Sequence, residues 1–311
     1  MECKLWFVVM VIGLSLFVFD NGVHATIPKE KMMKQSLLWD EMFKNQSSVS
    51  PNDQPKDLIK HWAIYQASSG LFKKFYGAKT SLSVYGVSDI KSTQLTLASI
   101  WISNGFPGVR KTLNVISVGW MVYPSKYNDT RTHFFTLWTR DGYQTYCYNT
   151  QCPGFILANT SNIVPGSPID QVSAYDGPQY NITIKVYKDS ASGNWWLYYG
   201  PSGQYDDLYA VGYWPRSLFT GLEENASYMH FGGSVIYLKD AQGPPMGSGH
   251  YPEEGEGKAA TFYGMQALDQ NGSLYDFKDN LMAIQDKKEC YRVSEFRNKR
   301  FFYGGPAHCI D

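Results

Sequence analysis

Three glutamates lie close together in a loop rich in glycine and proline. They are Glu253, Glu254 and Glu256, and His250 precedes them by a few residues. Neighbouring carboxyl groups shift each other's pKa and exchange protons with a reacting group, which is the chemistry of general acid–base catalysis. The same groups also serve as hydrogen-bond partners that fix a loop. We favour the loop role for all four residues and keep catalysis as the alternative.

The cysteines fall into two local groups, Cys147 with Cys152 and Cys290 with Cys309, while Cys3 lies in an apolar N-terminal segment. An even number of cysteines in a secreted chain implies disulfides. Four cysteines allow three connectivities, and we pair them locally. The C-x4-C spacing has no nearby CxxC or HxxxH partner, so it does not predict a zinc site.

The charge balance argues against several classes of protein. The 311 residues include 28 Lys+Arg and 28 Asp+Glu, which gives a formal net charge of zero. A nucleic-acid surface needs clustered lysine and arginine, so we expect no nucleic-acid partner. The hydrophobic fraction of 43% is too high for a disordered chain. Because no metal or nucleotide motif appears, we expect no metal and no cofactor.

The N-terminus has the anatomy of a secretory signal peptide over residues 1–25. Lys4 precedes an apolar run over 5–19, and Val23-His24-Ala25 supplies a small-residue cleavage pattern. The run is shorter than the roughly 20 residues that a membrane-spanning helix needs. An uncleaved signal anchor is the alternative. No other stretch predicts a span, so we expect a secreted chain with no membrane partner after cleavage.

Six asparagines stand in N-x-[ST] sequons, which mark sites of N-glycosylation on the surface of secreted proteins. They are Asn45, Asn128, Asn159, Asn181, Asn225 and Asn271.

The chain changes texture near residue 57. Residues 26–57 predict a mobile leader that makes little contact with the rest, with one amphipathic helix over 29–44. Beyond it, β-branched and aromatic runs alternate with Gly, Pro, Asn and Asp. These runs predict strands over 80–85, 95–103, 115–123, 133–139, 181–187, 195–199 and 234–238.

The strand over 181–187 shows the period that a half-buried strand requires. Ile182, Ile184 and Val186 share one face, and polar or aromatic residues share the other. Many such strands predict an all-β sandwich or barrel. No linker interrupts residues 58–311 and no helical period follows residue 70, so we expect a single large domain.

Many segments in order resemble the neprosin family of secreted plant proteins, whose domain was first catalogued as one of unknown function. Examples are FTLWTRDGY at 135–143 and MGSGHYP at 246–252. The others are at 61–63, 75–79, 99–102, 118–122, 147–149, 152–155, 193–196, 212–215, 253–255, 257–259 and 302–306. The resemblance covers residues 58–311.

The resemblance implies an antiparallel double-sheet β-sandwich and a glutamic peptidase that cuts after proline at acidic pH. Two glutamates act across a cleft between the sheets, where one carboxylate takes a proton from water while another group donates to the amide. Active members also carry an activation domain as a removable pro-segment. Residues 26–57 lack its size, so we expect that domain to be truncated or absent.

Both catalytic positions of the resemblance carry serine. The sequence reads ISVGW at 116–120 where the family has IEAGW, and GGSV at 232–235 where the family has GGEV. Ser117 and Ser234 therefore replace the two glutamates. A serine hydroxyl does not titrate near acidic or neutral pH and is no unaided general base. We expect a catalytically silent relative.

Alternation along its strand predicts the direction of the Ser117 side chain. The neighbours that should pack away on the other face are Ile116, Val118, Trp120 and Val122. Ser117 should then point to the open concave side. A serine nucleophile with His133, His230 or His250 is an alternative, but no G-x-S-x-G elbow surrounds either serine.

Aromatic residues supply the remaining candidates for a binding cleft. The set is Trp120, Trp138, Tyr143, Trp195, Trp196 and Trp214, together with His250, Glu253 and Glu254. Ring stacking would suit proline-rich peptides or sugar-containing cell-wall material, and the alternative for about half of the rings is core packing. In Trp195-Trp196, one ring should face inward and one outward.

Three functions therefore stay open. The first is a secreted, silent relative that binds peptide or cell-wall ligands in its cleft. The second is an active peptidase that uses other carboxylates. The third is a structural or glycan-binding extracellular protein. The expected location is extracellular or the cell wall, with the vacuole as an alternative.

Overall fold

The computed structural model describes residues 58–69, 74–105, 109–277 and 281–310. The predicted signal peptide (1–25), the leader (26–57) with its helix over 29–44, and the sequon at Asn45 lie outside these residues.

Short antiparallel strands make up most of the described chain. The sixteen strands of the described ranges are β1 Leu58–Ser68, β2 Gly77–Ser83, β3 Leu95–Asn104, β4 Asn114–Val122, β5 His133–Thr139, β6 Tyr146–Tyr148, β7 Ile156–Leu157, β8 Asn181–Lys188, β9 Trp195–Gly200, β10 Tyr209–Trp214, β11 Tyr228–Leu238, β12 Ala260–Leu268, β13 Leu274–Asp276, β14 Leu281–Gln285, β15 Arg292–Val293 and β16 Phe301–Gly304. All seven predicted strands are present, and β11 begins six residues before the predicted start at 234.

The strands form two sheets. The seven-stranded sheet has the order β14-β1-β11-β3-β4-β5-β6. The nine-stranded sheet has the order β15-β16-β12-β2-β8-β9-β10-β7, with β13 paired to β12. This single-domain, all-β antiparallel double-sheet sandwich confirms the predicted fold class.

The core lies between the two sheets because alternate residues of each strand face inward. Ile116, Val118 and Trp120 of β4 pack in one cluster with Ile182 and Ile184 of β8. The period-two pattern of β8 therefore marks the buried face, as predicted.

Helices are few and short in the described ranges. The α-helix α1 spans Pro124–Tyr127, and 3-10 helices span Arg110–Thr112, Arg216–Leu218 and Pro252–Glu254. No helix of the described ranges is longer than four residues, in agreement with the lack of a sustained helical period beyond residue 70. Within the described ranges, no helix has the length and hydropathy that a membrane span needs.

The predicted disulfide pairing is confirmed. Cys147–Cys152 closes a loop after β6 with Cα atoms 6.0 Å apart. Cys290–Cys309 joins the segment before β15 to the C-terminal end, with Cα atoms 5.7 Å apart. Disulfides persist in oxidising compartments, so both bridges fit an extracellular environment.

The sequon asparagines of the described ranges reach the surface to different extents. Asn128, Asn159 and Asn271 are exposed, whereas Asn181 and Asn225 are half-buried. Glycosylation stays a prediction at each of them.

Candidate functional site

Ser117 and Ser234 lie on the same sheet, two strands apart, with β3 between them. In the register, Ser117 of β4 pairs with Trp101 and Ser234 of β11 pairs with Leu97. Ser99 lies between these two partners and shares their face of β3. Ser117, Ser99 and Ser234 therefore form a diagonal across three neighbouring strands, which we call the serine diagonal.

The serine diagonal faces away from the nine-stranded sheet. The residues next to Ser117 and Ser234 in sequence, Val118 and Val235, belong to the cluster between the sheets. Alternation puts both serines on the opposite, outer face of the seven-stranded sheet. Ser117 lies on the predicted face of β4, opposite the core, but its side chain is buried there, so its predicted position on an open side is not confirmed. The expectation of two residues facing each other across a cleft between the sheets is wrong, because both serines stand on the outer face of one sheet.

The two serines differ in their hydrogen bonding. The Ser117 and Ser99 hydroxyl oxygens are 3.0 Å apart and share a hydrogen bond. The Ser234 hydroxyl is fully buried and has no hydrogen-bond partner among the described residues. Its cross-strand neighbours are Trp62 and Leu97, which offer no acceptor from their side chains.

Glycines flank Ser99 and let the strands approach closely at this point. Gly119 and Gly232 are its two cross-strand partners. A Cβ atom on Gly119 would stand 1.9 Å from the Ala98 carbonyl oxygen. A Cβ atom on Gly232 would stand 2.3 Å from the Ala63 carbonyl oxygen. The row Gly232–Ser99–Gly119 is thus a trough of small residues in the sheet.

Large apolar side chains fill the rest of this outer face. Trp62 and Trp101 meet with ring centroids 5.3 Å apart in a T-shaped arrangement. In the register, Gly232 lies on the strand between them, so the rings meet where that strand has no side chain. The outer-face cluster comprises Trp62, Ile64, Leu95, Leu97, Trp101, Val115, Met121, Phe135, Leu137, Tyr143, Tyr148 and Ile236.

The predicted cleft aromatics lie in three different places. Tyr143 belongs to the outer-face cluster, where burial raises its pKa well above the ordinary value and its hydroxyl has no partner in the described part of the chain. Trp196 lies half-exposed on the outer face of the nine-stranded sheet. The four that pack in the core between the sheets are Trp120, Trp138, Trp195 and Trp214.

The core position of those four tryptophans corrects their assignment to a cleft. These tryptophans occupy inward-facing strand positions, and two of their indoles donate hydrogen bonds to backbone carbonyls. The Trp120 Nε1 donates to the Ser83 carbonyl at 2.8 Å, and the Trp195 Nε1 donates to the Leu222 carbonyl at 2.8 Å. The prediction that Trp195 faces inward and Trp196 outward is confirmed.

His230 lies on the outer face of β11, paired with Trp101. Its Nε2 is 3.0 Å from the Gln66 Oε1 atom. Burial lowers the pKa of the His230 imidazole to about 3, so the ring is neutral except in strong acid and is a poor base. Within the described residues, Ser117 bonds to Ser99 and the Ser234 hydroxyl has no partner, so neither serine bonds to the His230 ring.

His133 is held by structural contacts. Its Nε2 is 2.9 Å from the Asp129 carboxylate, and its Nδ1 is 2.8 Å from the Gly166 carbonyl oxygen. The ring also stacks on Tyr127 with centroids 3.8 Å apart. Neither His133 nor the neutral His230 therefore supplies the general base that a serine nucleophile at Ser117 or Ser234 requires.

The glutamate loop lies beside the nine-stranded sheet, where its 3-10 helix Pro252–Glu254 contacts β16. Glu253 is 3.3 Å from the Arg292 guanidinium, and Glu256 pairs with Arg300. These ion pairs hold two of the three carboxylates in loop contacts, away from the serine diagonal.

Glu254 accepts hydrogen bonds from the Tyr175 hydroxyl at 3.0 Å and pairs with the His250 Nδ1 at 3.1 Å. Slight desolvation raises the pKa of the Glu254 carboxyl, but these hydrogen bonds outweigh it and leave the pKa below its ordinary value. Tyr175 also stacks on His250 with ring centroids 3.9 Å apart. An ionised, hydrogen-bonded carboxylate fixes the loop and does not suit a general acid.

Comparison with known proteins decides the family. The sequence matches the Neprosin family over residues 92–306, more than half of the chain. This chain belongs to the Neprosin family. All three residues of the serine diagonal lie inside the matched segment of the Neprosin chain.

Two peptidase structures have similar folds. Scytalido-glutamic peptidase, solved with a peptide-based transition state analogue, has 9% identity and a TM-score of 0.43, covering 80% of the Neprosin chain and 99% of the peptidase. SCP-B, a member of the Eqolisin family of peptidases solved with the tripeptide Ala-Ile-His, has 9% identity and a TM-score of 0.41, with the same coverage.

Sequence reasoning about this Neprosin chain missed Ser99. The residue lies in the segment 99–102, but only the register shows that it stands between the two serine positions and bonds to Ser117. The alternation of side chains in β3 offers one clue to this role, because Ser99 is a small polar residue between Leu97 and Trp101 on the same face.

Proposed function

We propose that this chain is a catalytically silent, secreted member of the Neprosin family that binds peptides on the outer face of its seven-stranded sheet. The observation that carries the proposal is the serine diagonal. Hydroxyls stand at both positions where the family resemblance implies glutamates, and Ser117 is bonded to a third serine. The paired carboxyls that amide hydrolysis would use are replaced.

The surroundings of the serine diagonal offer no substitute carboxylate. Its cross-strand neighbours in the described sheet are Trp62, Leu97, Trp101, Leu137 and glycines. Glu253, Glu254 and Glu256 form ion pairs or hydrogen bonds with other side chains around a loop beside the nine-stranded sheet. An active peptidase of the same fold would need a carboxylate within hydrogen-bond reach of the scissile amide.

Peptide binding is supported by the character of the outer face. Its cluster combines two contacting tryptophans with aliphatic residues, beside the serine diagonal and the trough of small residues. Apolar side chains of a peptide would pack against this aromatic and aliphatic cluster.

Restoring the two carboxylates tests the loss of catalysis. Ser117→Glu with Ser234→Glu should cleave a proline-containing peptide at acidic pH faster than wild type, whereas each single change should not, because the acid and base roles need two groups. The matched control is Ser117→Gln with Ser234→Gln, which has the same size without the charge. Equal cleavage by the Glu and Gln double variants would contradict the assigned positions.

Binding is tested separately with wild-type protein and the same peptide. Titration with the peptide should quench the tryptophan fluorescence, and Trp101→Phe should reduce the amplitude of this quenching. Trp196→Phe, on the opposite side of the sandwich, is the control and should leave the amplitude unchanged. A response lost only in the control variant would place the peptide elsewhere.

A further inference from the structure

The outer face of the nine-stranded sheet carries a row of aromatic side chains in register. Tyr187 of β8 pairs with Trp196 of β9, and Trp196 pairs with Tyr213 of β10. Ile156 of the edge strand β7 continues the row beside Tyr213 and is exposed. Strands in a sheet lie about 4.8 Å apart, so the four side chains span roughly 14 Å across it.

A second row beside the first adds one more ring and a cation. Lys185 of β8 pairs with Tyr198 of β9. The Trp196 ring lies 4.7 Å from the Tyr213 ring and 6.4 Å from the Tyr198 ring, at interplanar angles of 37° and 35°. We call Tyr187, Trp196, Tyr198, Tyr213 and Lys185 the aromatic platform. All five side chains are half-exposed.

The loop between β9 and β10 covers the sheet next to the platform but leaves the platform open. Tyr205 of this loop donates to the Gly264 carbonyl oxygen at 2.9 Å on β12. Asp206 of the same loop pairs with the Lys79 ammonium at 2.7 Å, and Lys79 is buried. The ammonium of the neighbouring Lys79 is therefore already paired with a carboxylate.

Lys185 has no such carboxylate among the ion pairs of the described residues. Its ammonium lies 5.5 Å from the Tyr187 ring centroid and 5.3 Å from the Tyr198 ring centroid. Burial and the charge of Lys79 lower the pKa of the Lys185 ammonium, so both disfavour the charged form. An anion beside Lys185 would offset both effects.

We propose that the aromatic platform binds an acidic polysaccharide built from uronic acid pyranoses. The carbon–hydrogen faces of the sugar rings stack on Tyr187, Trp196 and Tyr213, and a uronate carboxylate pairs with Lys185. The inference goes beyond the proposed peptide binding and concerns the opposite side of the sandwich.

The geometry favours this ligand over other anionic polymers. A nucleic acid needs several cations along its backbone, whereas the platform has one uncompensated lysine. A polyproline peptide docks in an aromatic-lined groove, whereas neighbouring strands place these rings side by side on a sheet face. A sugar polymer matches both the row of rings and the single charge.

The test uses purified full-length secreted protein and two probes, polygalacturonate and its fully methyl-esterified form, which lacks the negative charge. Affinity electrophoresis and calorimetry should detect binding of polygalacturonate and weaker binding of the ester. Lys185→Gln should weaken polygalacturonate binding roughly tenfold, the size of one charge-assisted hydrogen bond. Trp196→Ala should weaken both probes.

Two controls keep the result specific. Lys239→Gln removes an exposed lysine next to the end of β11, in the other sheet, and should bind as wild type does. Ser117→Ala with Ser234→Ala should also leave glycan binding unchanged, which separates it from the peptide face. Thermal unfolding checks that Trp196→Ala and Lys185→Gln are folded.

Three results would overturn the proposal. One is no binding of polygalacturonate by wild type. Another is equal binding by wild type and folded Lys185→Gln. The third is binding of an acidic proline-rich peptide at the platform with no binding of either polysaccharide.

Discussion

The hydroxyls of Ser117 and Ser234 do different things although they stand on the same face. Ser117 shares a hydrogen bond with Ser99, whereas the buried Ser234 hydroxyl has no partner among the residues that the structure describes. A buried polar group without a partner costs about 1–3 kcal/mol. The two positions should therefore respond in opposite ways to removal of the hydroxyl.

Alanine substitutions measure this difference at the residue scale. Ser234→Ala should leave the free energy of unfolding equal to wild type or raise it, because no hydrogen bond is lost. Ser117→Ala should lower it by about 1–3 kcal/mol, because Ser99 loses its bonding hydroxyl. Chemical denaturation compares the two. Equal losses would show that Ser234 has a partner in solution.

His230 makes stability depend on pH. Its pKa is about 3 in the folded chain against an ordinary value of 6.5, so the unfolded chain binds the proton first as pH falls. The stability that comes from keeping His230 neutral in the folded chain is fully present above about pH 6.5, and it is lost as the pH falls towards 3. His230→Gln should flatten this part of the stability profile. Parallel profiles for wild type and variant would contradict the assignment.

At the scale of elements, the close approach of β4 to β3 and of β11 to β1 shapes the candidate site. Gly119 and Gly232 have no room for a side chain because neighbouring carbonyl oxygens stand where a Cβ atom would be. These glycines set the trough that contains Ser99.

Gly119→Ala should therefore destabilise the sheet. The added carbon meets the Ala98 carbonyl, and relief by strand separation should cost about 1–3 kcal/mol in the free energy of unfolding. Gly86→Ala is the matched control, since its Cβ atom meets Val172 at an ordinary 3.5 Å. A loss as large for Gly86→Ala as for Gly119→Ala would rule out the close approach as the cause.

Alternation predicted the strands and the directions of Ser117, Trp195 and Trp196, because period two follows from strand geometry alone. Alternation alone did not show on which outer face of the sandwich a side chain lies, because that depends on which sheet contains its strand. Trp120 and Trp214 were assigned to a cleft by residue type, yet both face inward. Ser99 was missed because its role depends on the pairing of β3 with β4 and β11, which connects residues distant in sequence.

At the scale of the whole molecule, the sandwich has two outer faces with different chemistry. The seven-stranded sheet carries the serine diagonal and an apolar cluster, and the nine-stranded sheet carries the aromatic platform with Lys185. Because the two sheets share one core, substitutions on either outer face should remove its binding function without unfolding the protein.

The disulfides contribute to the stability of this whole unit in a predictable order. Removing Cys290–Cys309 by alanine substitution should lower the free energy of unfolding by about 3 kcal/mol, and removing Cys147–Cys152 by about 2 kcal/mol. The order follows from sequence separations of 19 and 5 residues, because the longer loop restricts the unfolded chain more. Denaturation of the two double variants measures it, and the reverse order would contradict the loop-entropy account.

Replacement of the two carboxyls by serines should leave the chain without peptidase activity. The most direct measurement is digestion of a proline-containing peptide by purified wild-type protein from acidic to neutral pH, followed by mass spectrometry of the products. The intact peptide should be the sole species at every pH. Fragments ending in proline, produced at the same rate by wild type and by Ser117→Ala with Ser234→Ala, would contradict the claim and direct attention to Glu253, Glu254 and Glu256.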